Sequence, residues 1–259
     1  MLMTAKSVKG YALRGIDGVI GEVEEFYFDD HHWAIRYLVA DTGHFLPGRT
    51  MLISPYALGA MSLAERQVAV SLTKKQIADA PSLDSDKPVS RQYEDAYFGY
   101  YGWPAYWSGP NMWGPYADIV RDRARWKTAP RYEATGDEHL RSTREVSGYH
   151  IHASDGGIGH VADFVIDADT WAIRYLVVDT KDWLPGKTVL ISPRWIERVS
   201  WGESKVFVGL SLENIESAPE YREDSLLPRD YEARLHEHYG RRGYWDAMPA
   251  GAYENQAVV

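Results

Sequence analysis

Trp33-Ala34-Ile35-Arg36-Tyr37-Leu38-Val39 recurs, residue for residue, as Trp171-Ala172-Ile173-Arg174-Tyr175-Leu176-Val177. The shift between the copies is 138 residues, and the match extends outward from this stretch without a gap. Gly10-Tyr11 falls on Gly148-Tyr149, Leu46-Pro47-Gly48 on Leu184-Pro185-Gly186, Ile53-Ser54-Pro55 on Ile191-Ser192-Pro193, and Ala80-Pro81 on Ala218-Pro219. From Gly10 to Pro81, 34 of 72 aligned positions are identical. A repeat this regular divides the chain into two copies of one unit. It also filters function, because chemistry carried by a residue present in only one copy is not what the repeat preserves.

Each copy reads as short strands. Asp17-Gly18 and Asp155-Gly156 are tight-turn signals, since Gly tolerates positive φ and Asp bonds to nearby backbone. The stretches Ile20 to Phe28 and Ile158 to Ile166 alternate loosely between apolar and polar residues, as suits a strand with one buried face. The quoted stretch is rich in β-branched and aromatic residues and ends at Asp41 or Asp179. Leu46-Pro47-Gly48 makes a turn, Thr50 to Ile53 a further strand stopped by Pro55, and Leu58 to Leu63 and Val68 to Val70 complete the set. Thr73 to Ala78 predicts one short helix, ended by Pro81. So many short strands in roughly 75 residues, near the lower limit for a stable core, predict closure of each unit into a small barrel that removes exposed edges.

The ordered set D-G-x-x-I-G-x-V, F-x-x-D, W-A-I-R-Y-L-V-x-D-T, L-P-G, L-I-S-P and V-x-V-x-L resembles the PRC-barrel family, named for the cytoplasmic domain of the photosynthetic reaction centre H subunit. The pattern covers about 8–81 and 146–219. The resemblance implies a small β-barrel that acts by binding other proteins, with no shared catalytic residues to carry over. The expected fold is therefore mainly β: two tandem PRC-like β-barrels, each followed by a short helix and an aromatic, Gly/Pro-rich tail. The expected boundaries are barrel 1 at 1–81, an aromatic and basic connecting segment at 82–145, barrel 2 at 146–220, and a C-terminal helix and tail at 221–259.

The repeat continues past each barrel. Arg91-Gln92-Tyr93-Glu94 aligns with Arg229-Asp230-Tyr231-Glu232, Tyr101-Gly102 with Tyr239-Gly240, and Tyr106-Trp107 with Tyr244-Trp245. Tyr93, Tyr97, Tyr100 and Tyr101 share one face of a helix, and Tyr231, Leu235, His238 and Tyr239 occupy the same positions in the second copy. Tyr93, Tyr97, Tyr100, Tyr101, Trp103, Tyr106, Trp107, Tyr231, Tyr239, Tyr244 and Trp245 form the candidate interaction surface, because Tyr and Trp are favoured in interface hot spots. The same rings have two other uses: finishing the core of a barrel, or stacking on a small ligand.

Composition excludes several chemistries. A net charge of −9 argues against a nucleic-acid partner. The basic stretch Arg121 to Lys127 leaves room for weak contact with a membrane surface. The chain has no cysteine, which removes disulfides, thiolate metal sites and cysteine nucleophiles. With no apolar run of membrane-spanning length and no signal-like start, a cytoplasmic protein is expected.

His150, His152, His160, His236 and His238 invite a metal, but their first-copy equivalents are Ala12, Arg14, Glu22, Phe98 and Tyr100. No metal or cofactor is expected. Asp29, Asp41, Asp167 and Asp179 sit at strand ends, where carboxylates satisfy turn backbone. Ser54 and Ser192 precede Pro without a nucleophile-elbow context, and Asp155 to Gly159 is a hairpin turn, not a phosphate loop. Arg36 and Arg174, amid apolar strand residues, are read as packed stems with solvated heads or as partners of a nearby Asp.

These readings lead to a non-enzymatic interaction or scaffold module with an unidentified protein partner, as a homo-oligomer or as an internal pseudo-dimer of its own copies. The alternatives are a small-ligand-binding module using an aromatic cleft between barrels and, behind it, a hydrolase.

Overall fold

In a computed structural model, the described residues are 1–43, 45–47, 49–81, 89, 91–103, 139–180, 187–222 and 227–247. The first copy runs β1 (Leu2–Thr4), α1 (Ala5–Val8), β2 (Ala12–Gly15), β3 (Gly18–Asp29), β4 (Ala34–Asp41), β5 (Thr50–Ile53), β6 (Leu58–Ser62), β7 (Gln67–Val70), α2 (Lys74–Ala78) and α3 (Arg91–Tyr101). The second repeats it as β8 (Leu140–Ser142), α4 (Thr143–Val146), β9 (His150–Ala153), β10 (Gly156–Asp167), β11 (Ile173–Asp179), β12 (Thr188–Ile191), β13 (Ile196–Ser200), β14 (Lys205–Val208), α5 (Leu212–Glu216) and α6 (Arg229–His238).

Matched residues set the local geometry. Thr73 and Gln76 close a capping box on α2. The hairpin carboxylates Asp17 and Asp155 accept the first backbone N–H of α2 and α5, each at 2.8 Å, so each turn residue also positions a helix. Gly21 and Gly159 have φ of +151° and +154°, and a Cβ there would lie 2.2 or 2.0 Å from the carbonyl oxygen of Asp41 or Asp179. No larger residue fits where β3 and β10 bulge against the neighbouring strand.

The fold is mainly β, in two seven-stranded sheets. The first has the order β5-β4-β3-β2-β7-β6, with β8 added beside β3; the second has the order β12-β11-β10-β9-β14-β13, with β1 added beside β10. Among the described residues, only β2–β7 and β9–β14 are parallel pairs.

The expected closed barrels are not formed: both sheets end in edges that do not pair with each other. Between β5 and β6 the chain makes a 3-10 turn at Pro55–Ala57, and Pro193–Trp195 repeats it between β12 and β13. Proline has no N–H to give a ladder, so the two edges are held apart there. The β5 edge is satisfied in another way. The Tyr97 hydroxyl donates to the Leu52 carbonyl at 2.8 Å and accepts from the Ser54 N–H at 3.2 Å, filling the place of a neighbouring strand.

The two copies exchange their first strands. Leu2, Met3 and Thr4 pair with Asp167, Ile166 and Val165, while Leu140, Arg141 and Ser142 pair with Asp29, Phe28 and Tyr27. Every one of these pairs maps onto its counterpart by the 138-residue shift. Leu2–Thr4 therefore belongs to the sheet of the second copy, and Leu140–Ser142, from the connecting segment, to that of the first. Each exchanged turn meets a buried acid. Asp163 accepts the Lys6 N–H at 3.2 Å, and Glu25 pairs with Arg144 at 2.7 Å and accepts from the Ser142 hydroxyl.

At the centre, Ala34 and Ala172 form an antiparallel bridge, flanked by Ile35 N–H to Trp171 C=O and Ile173 N–H to Trp33 C=O, both 2.7 Å. Trp33 and Trp171 reach this geometry with φ of +53° and +57°. One buried apolar cluster runs through both copies, with Phe28 and Phe164 meeting across the join at 5.6 Å.

Candidate functional site

Arg36 and Arg174 each pair with the matched strand-end carboxylate, Asp29 or Asp167. Arg36 and Asp29 are both buried, whereas Arg174 (Nη2 to Asp167 Oδ2, 2.7 Å) is partly open to solvent. Burial pushes both carboxyls up, but the guanidinium and further hydrogen bonds outweigh it and hold them below the usual range. His32 adds to the effect at Asp29, and Thr170 to that at Asp167. The neighbouring tyrosines bind the docked helices: Tyr37 donates to Glu94 of α3 at 2.7 Å, and Tyr175 to Glu232 of α6 at 2.9 Å. A repeated polar cluster of Arg, Asp, Tyr and Glu thus fastens each helix to its sheet.

The second copy adds a group. His236 Nε2 lies 3.0 Å from the Tyr175 hydroxyl, and its Nδ1 lies 3.0 Å from the Arg242 carbonyl. The Nδ1–H therefore donates to that carbonyl, and Nε2 faces the tyrosine. Burial pushes the Glu232 carboxyl up and the His236 imidazole down.

Most of the aromatic candidates face inward. Tyr93, Tyr97, Tyr231 and Tyr239 are buried, while Tyr101, Trp103, Tyr244 and Trp245 are half-buried. Among the candidates in the described residues, only Tyr100 is exposed, at 43%. Tyr97, Tyr101 and Trp103 pack as an aromatic cluster with Phe98 on the outer face of the first sheet. Tyr106, Trp107 and the basic stretch 121–127 lie outside the described residues, as do Gly48 and the second-copy turn 184–186.

Other sequence candidates have structural partners. Ser54 and Ser192 cap the 3-10 turns, and Asp41 accepts the Gly43 N–H at 2.9 Å. His150 and His160 sit opposite each other in the β9–β10 ladder, His152 stacks on Phe207, and His238 bonds the Asn214 carbonyl. Among the described residues, no three His, Asp or Glu side chains are placed to hold a metal ion.

What the structure brings together is a half-open cleft of about 710 Å³ at the junction of the copies. It is lined by Asp30, His31, His32, Trp33, His139 and Arg141 from the first sheet and its added strand. Arg174, Arg194, Glu197, Arg198, Trp201 and Tyr244 line it from the second copy. Arg141 lies over the Trp201 ring at 4.1 Å and donates through Nε to Asp30 at 2.7 Å. Arg174 lies over Tyr244 at 4.0 Å, and Arg198 over Phe207 at 3.5 Å.

Sequence reasoning missed this site because its residues differ between the copies. Asp30, His31, His32, Arg141, Glu197, Arg198 and Trp201 correspond to Ala168, Asp169, Thr170, Met3, Gly59, Ala60 and Leu63. The available signal was the reverse of identity: charged and aromatic replacements gathered at a few positions of an otherwise faithful repeat.

Among the described residues, no helix is long and apolar enough to cross a membrane. Comparison with protein-family models and with curated proteins finds no match to this chain.

Proposed function

We propose that the protein is a non-enzymatic binding module, a pair of PRC-like units fused about their mutual axis, which takes a small ligand in the cleft between them. The observation that carries this reading is the cleft itself. It has the size of a small-molecule site and lies at the junction of two units, where such sites are preferred. Its polar groups converge on one side of an otherwise repeated structure. The inward-facing aromatic helices favour the small ligand over a protein docked on the tails, since their rings are spent on packing. The PRC-like reading rests on the order of sequence motifs in each copy.

Screening small molecules by thermal shift on wild type and on Trp201→Ala tests the reading. A ligand that binds the folded state raises stability by RT ln(1 + [L]/Kd), so a compound at a hundred times its Kd adds about 2.7 kcal/mol. The expected result is a stabilising compound whose effect weakens at least tenfold in concentration for the variant. Hits that stabilise both proteins equally would place binding elsewhere. Turnover abolished by a cleft substitution would make the protein an enzyme.

A further inference from the structure

The cleft of an acidic protein carries four arginines against two carboxylates in its lining. Their arrangement is specific. Arg141 and Arg174 have their charges met by Asp30 and Asp167, whereas among the described residues neither Arg194 nor Arg198 is paired with a carboxylate. Three of the four guanidiniums have one flat face laid against an aromatic ring, at 4.1, 4.0 and 3.5 Å. One face of the Trp201 ring and one of the Tyr244 ring are therefore taken by arginine.

A guanidinium held this way directs its N–H groups outward along its edges. Arg141 uses Nε on Asp30, and its Nη groups have no protein acceptor among the described residues. Arg174 uses Nε and Nη2 on Asp167 and Thr170, leaving Nη1. Stacking fixes the fork before a ligand arrives, which cuts the entropy lost on binding. Forked N–H pairs match the paired oxygens of carboxylates and phosphates.

From this we infer that the ligand is a small molecule bearing two or more oxyanion groups, carboxylate or phosphate, met by Arg194 and Arg198 with Arg141 and Arg174 completing the cradle. The inference rests on the binding-module reading and names its ligand class. With Glu197 also in the lining, the four guanidiniums exceed the carboxylates of Asp30, Asp167 and Glu197 by one, and an anionic ligand meets that excess. The copy-specific replacements give the same sign: at the equivalent place in the first copy stand Tyr56, Ala60 and Met3 in place of Arg194, Arg198 and Arg141.

Isothermal titration of the full chain with tripolyphosphate and with citrate, at low and moderate salt, tests it. The comparison is with the double variant Arg194→Gln/Arg198→Gln, whose side chains are exposed, so that folding is retained. A second variant, Arg141→Gln, and thermal melts of all three proteins verify this. The expected result is saturable binding of at least one probe, weakened tenfold or more in the double variant and again in Arg141→Gln. Citrate preferred over tripolyphosphate identifies a carboxylate ligand; the reverse identifies a phosphate. Binding that is equal in all three proteins, or absent for both probes, overturns the inference. The broader reading is judged separately: a neutral compound that stabilises wild type but not Trp201→Ala keeps the cleft as a binding site while the anion assignment falls.

Discussion

Ala34 and Ala172 face each other in an isolated antiparallel bridge across the centre of the molecule. They are the same position of the repeat, so the bridge lies on the approximate two-fold axis relating the copies. An antiparallel pair is itself two-fold symmetric, which is why equivalent residues can pair with each other and why the flanking bonds from Ile35 and Ile173 are matched. Everything exchanged between the copies is arranged about this point, and the cleft opens beside it.

The exchange makes the stability of the second sheet depend on the first four residues. Met3 is buried at the join, with 6% of its surface exposed. Met3→Ala is expected to destabilise the protein by about 2–3 kcal/mol, the usual cost of truncating a buried Met. Hydrogen exchange should quicken at Val165–Asp167 of the other copy. Unchanged exchange at those amides would show that β1 does not support β10.

Tyr97 closes a sheet edge with one hydroxyl. Tyr97→Phe leaves the Leu52 carbonyl and Ser54 N–H buried without that partner, and is expected to cost about 2 kcal/mol in urea denaturation. The second copy has Leu235 at this position, so no equivalent bond exists to lose. A loss under 0.5 kcal/mol would mean that water satisfies the edge.

Ser204 adopts a φ of +53° in the β13–β14 turn, a left-handed conformation costly to residues with a Cβ. Ser204→Gly relieves that strain but gives the unfolded chain more freedom. The balance is expected to favour the variant by about 0.5–1 kcal/mol, read from the shift in urea midpoint at constant slope. A destabilised variant would show that the strain is negligible.

Two buried acids should respond to pH in opposite senses. Asp29 is held below its ordinary value of 3.8, so it adds stability above that pH and loses it as pH falls through the lowered folded value. Asp29→Asn should therefore be the less stable protein at pH 7, with the gap shrinking below pH 3.8. Glu232 is pushed above its ordinary value of 4.5, so stability is lost as pH rises from 4.5 through the raised folded value and stays lower above it. Glu232→Gln should gain stability relative to wild type between pH 4.5 and neutrality. Urea midpoints across pH 2–8 measure both; parallel profiles for variant and wild type would refute the assignments.

The strands were legible because their signals are local. Alternation, the turn carboxylates Asp17 and Asp155, and Pro55 and Pro193 are all set by neighbours a few residues away, and the observed elements follow them. The barrel expectation failed at a non-local point. Periodicity shows that an edge must be protected, but not that the Tyr97 hydroxyl and a proline turn replace strand pairing. Leu2–Thr4 and Leu140–Ser142 were missed because three residues carry too little pattern, and their partners lie in the other copy.

The sequence by itself determined that the chain is one unit written twice, mainly β, with a helix attached to each copy. Those properties depend on residue spacing along the chain, which duplication preserves. Only the tertiary structure decided that the copies exchange strands about Ala34 and Ala172, and that Asp30, Arg141, Arg198 and Trp201 meet. These residues come from segments far apart in the chain, and their proximity depends on how the two sheets dock through their buried faces.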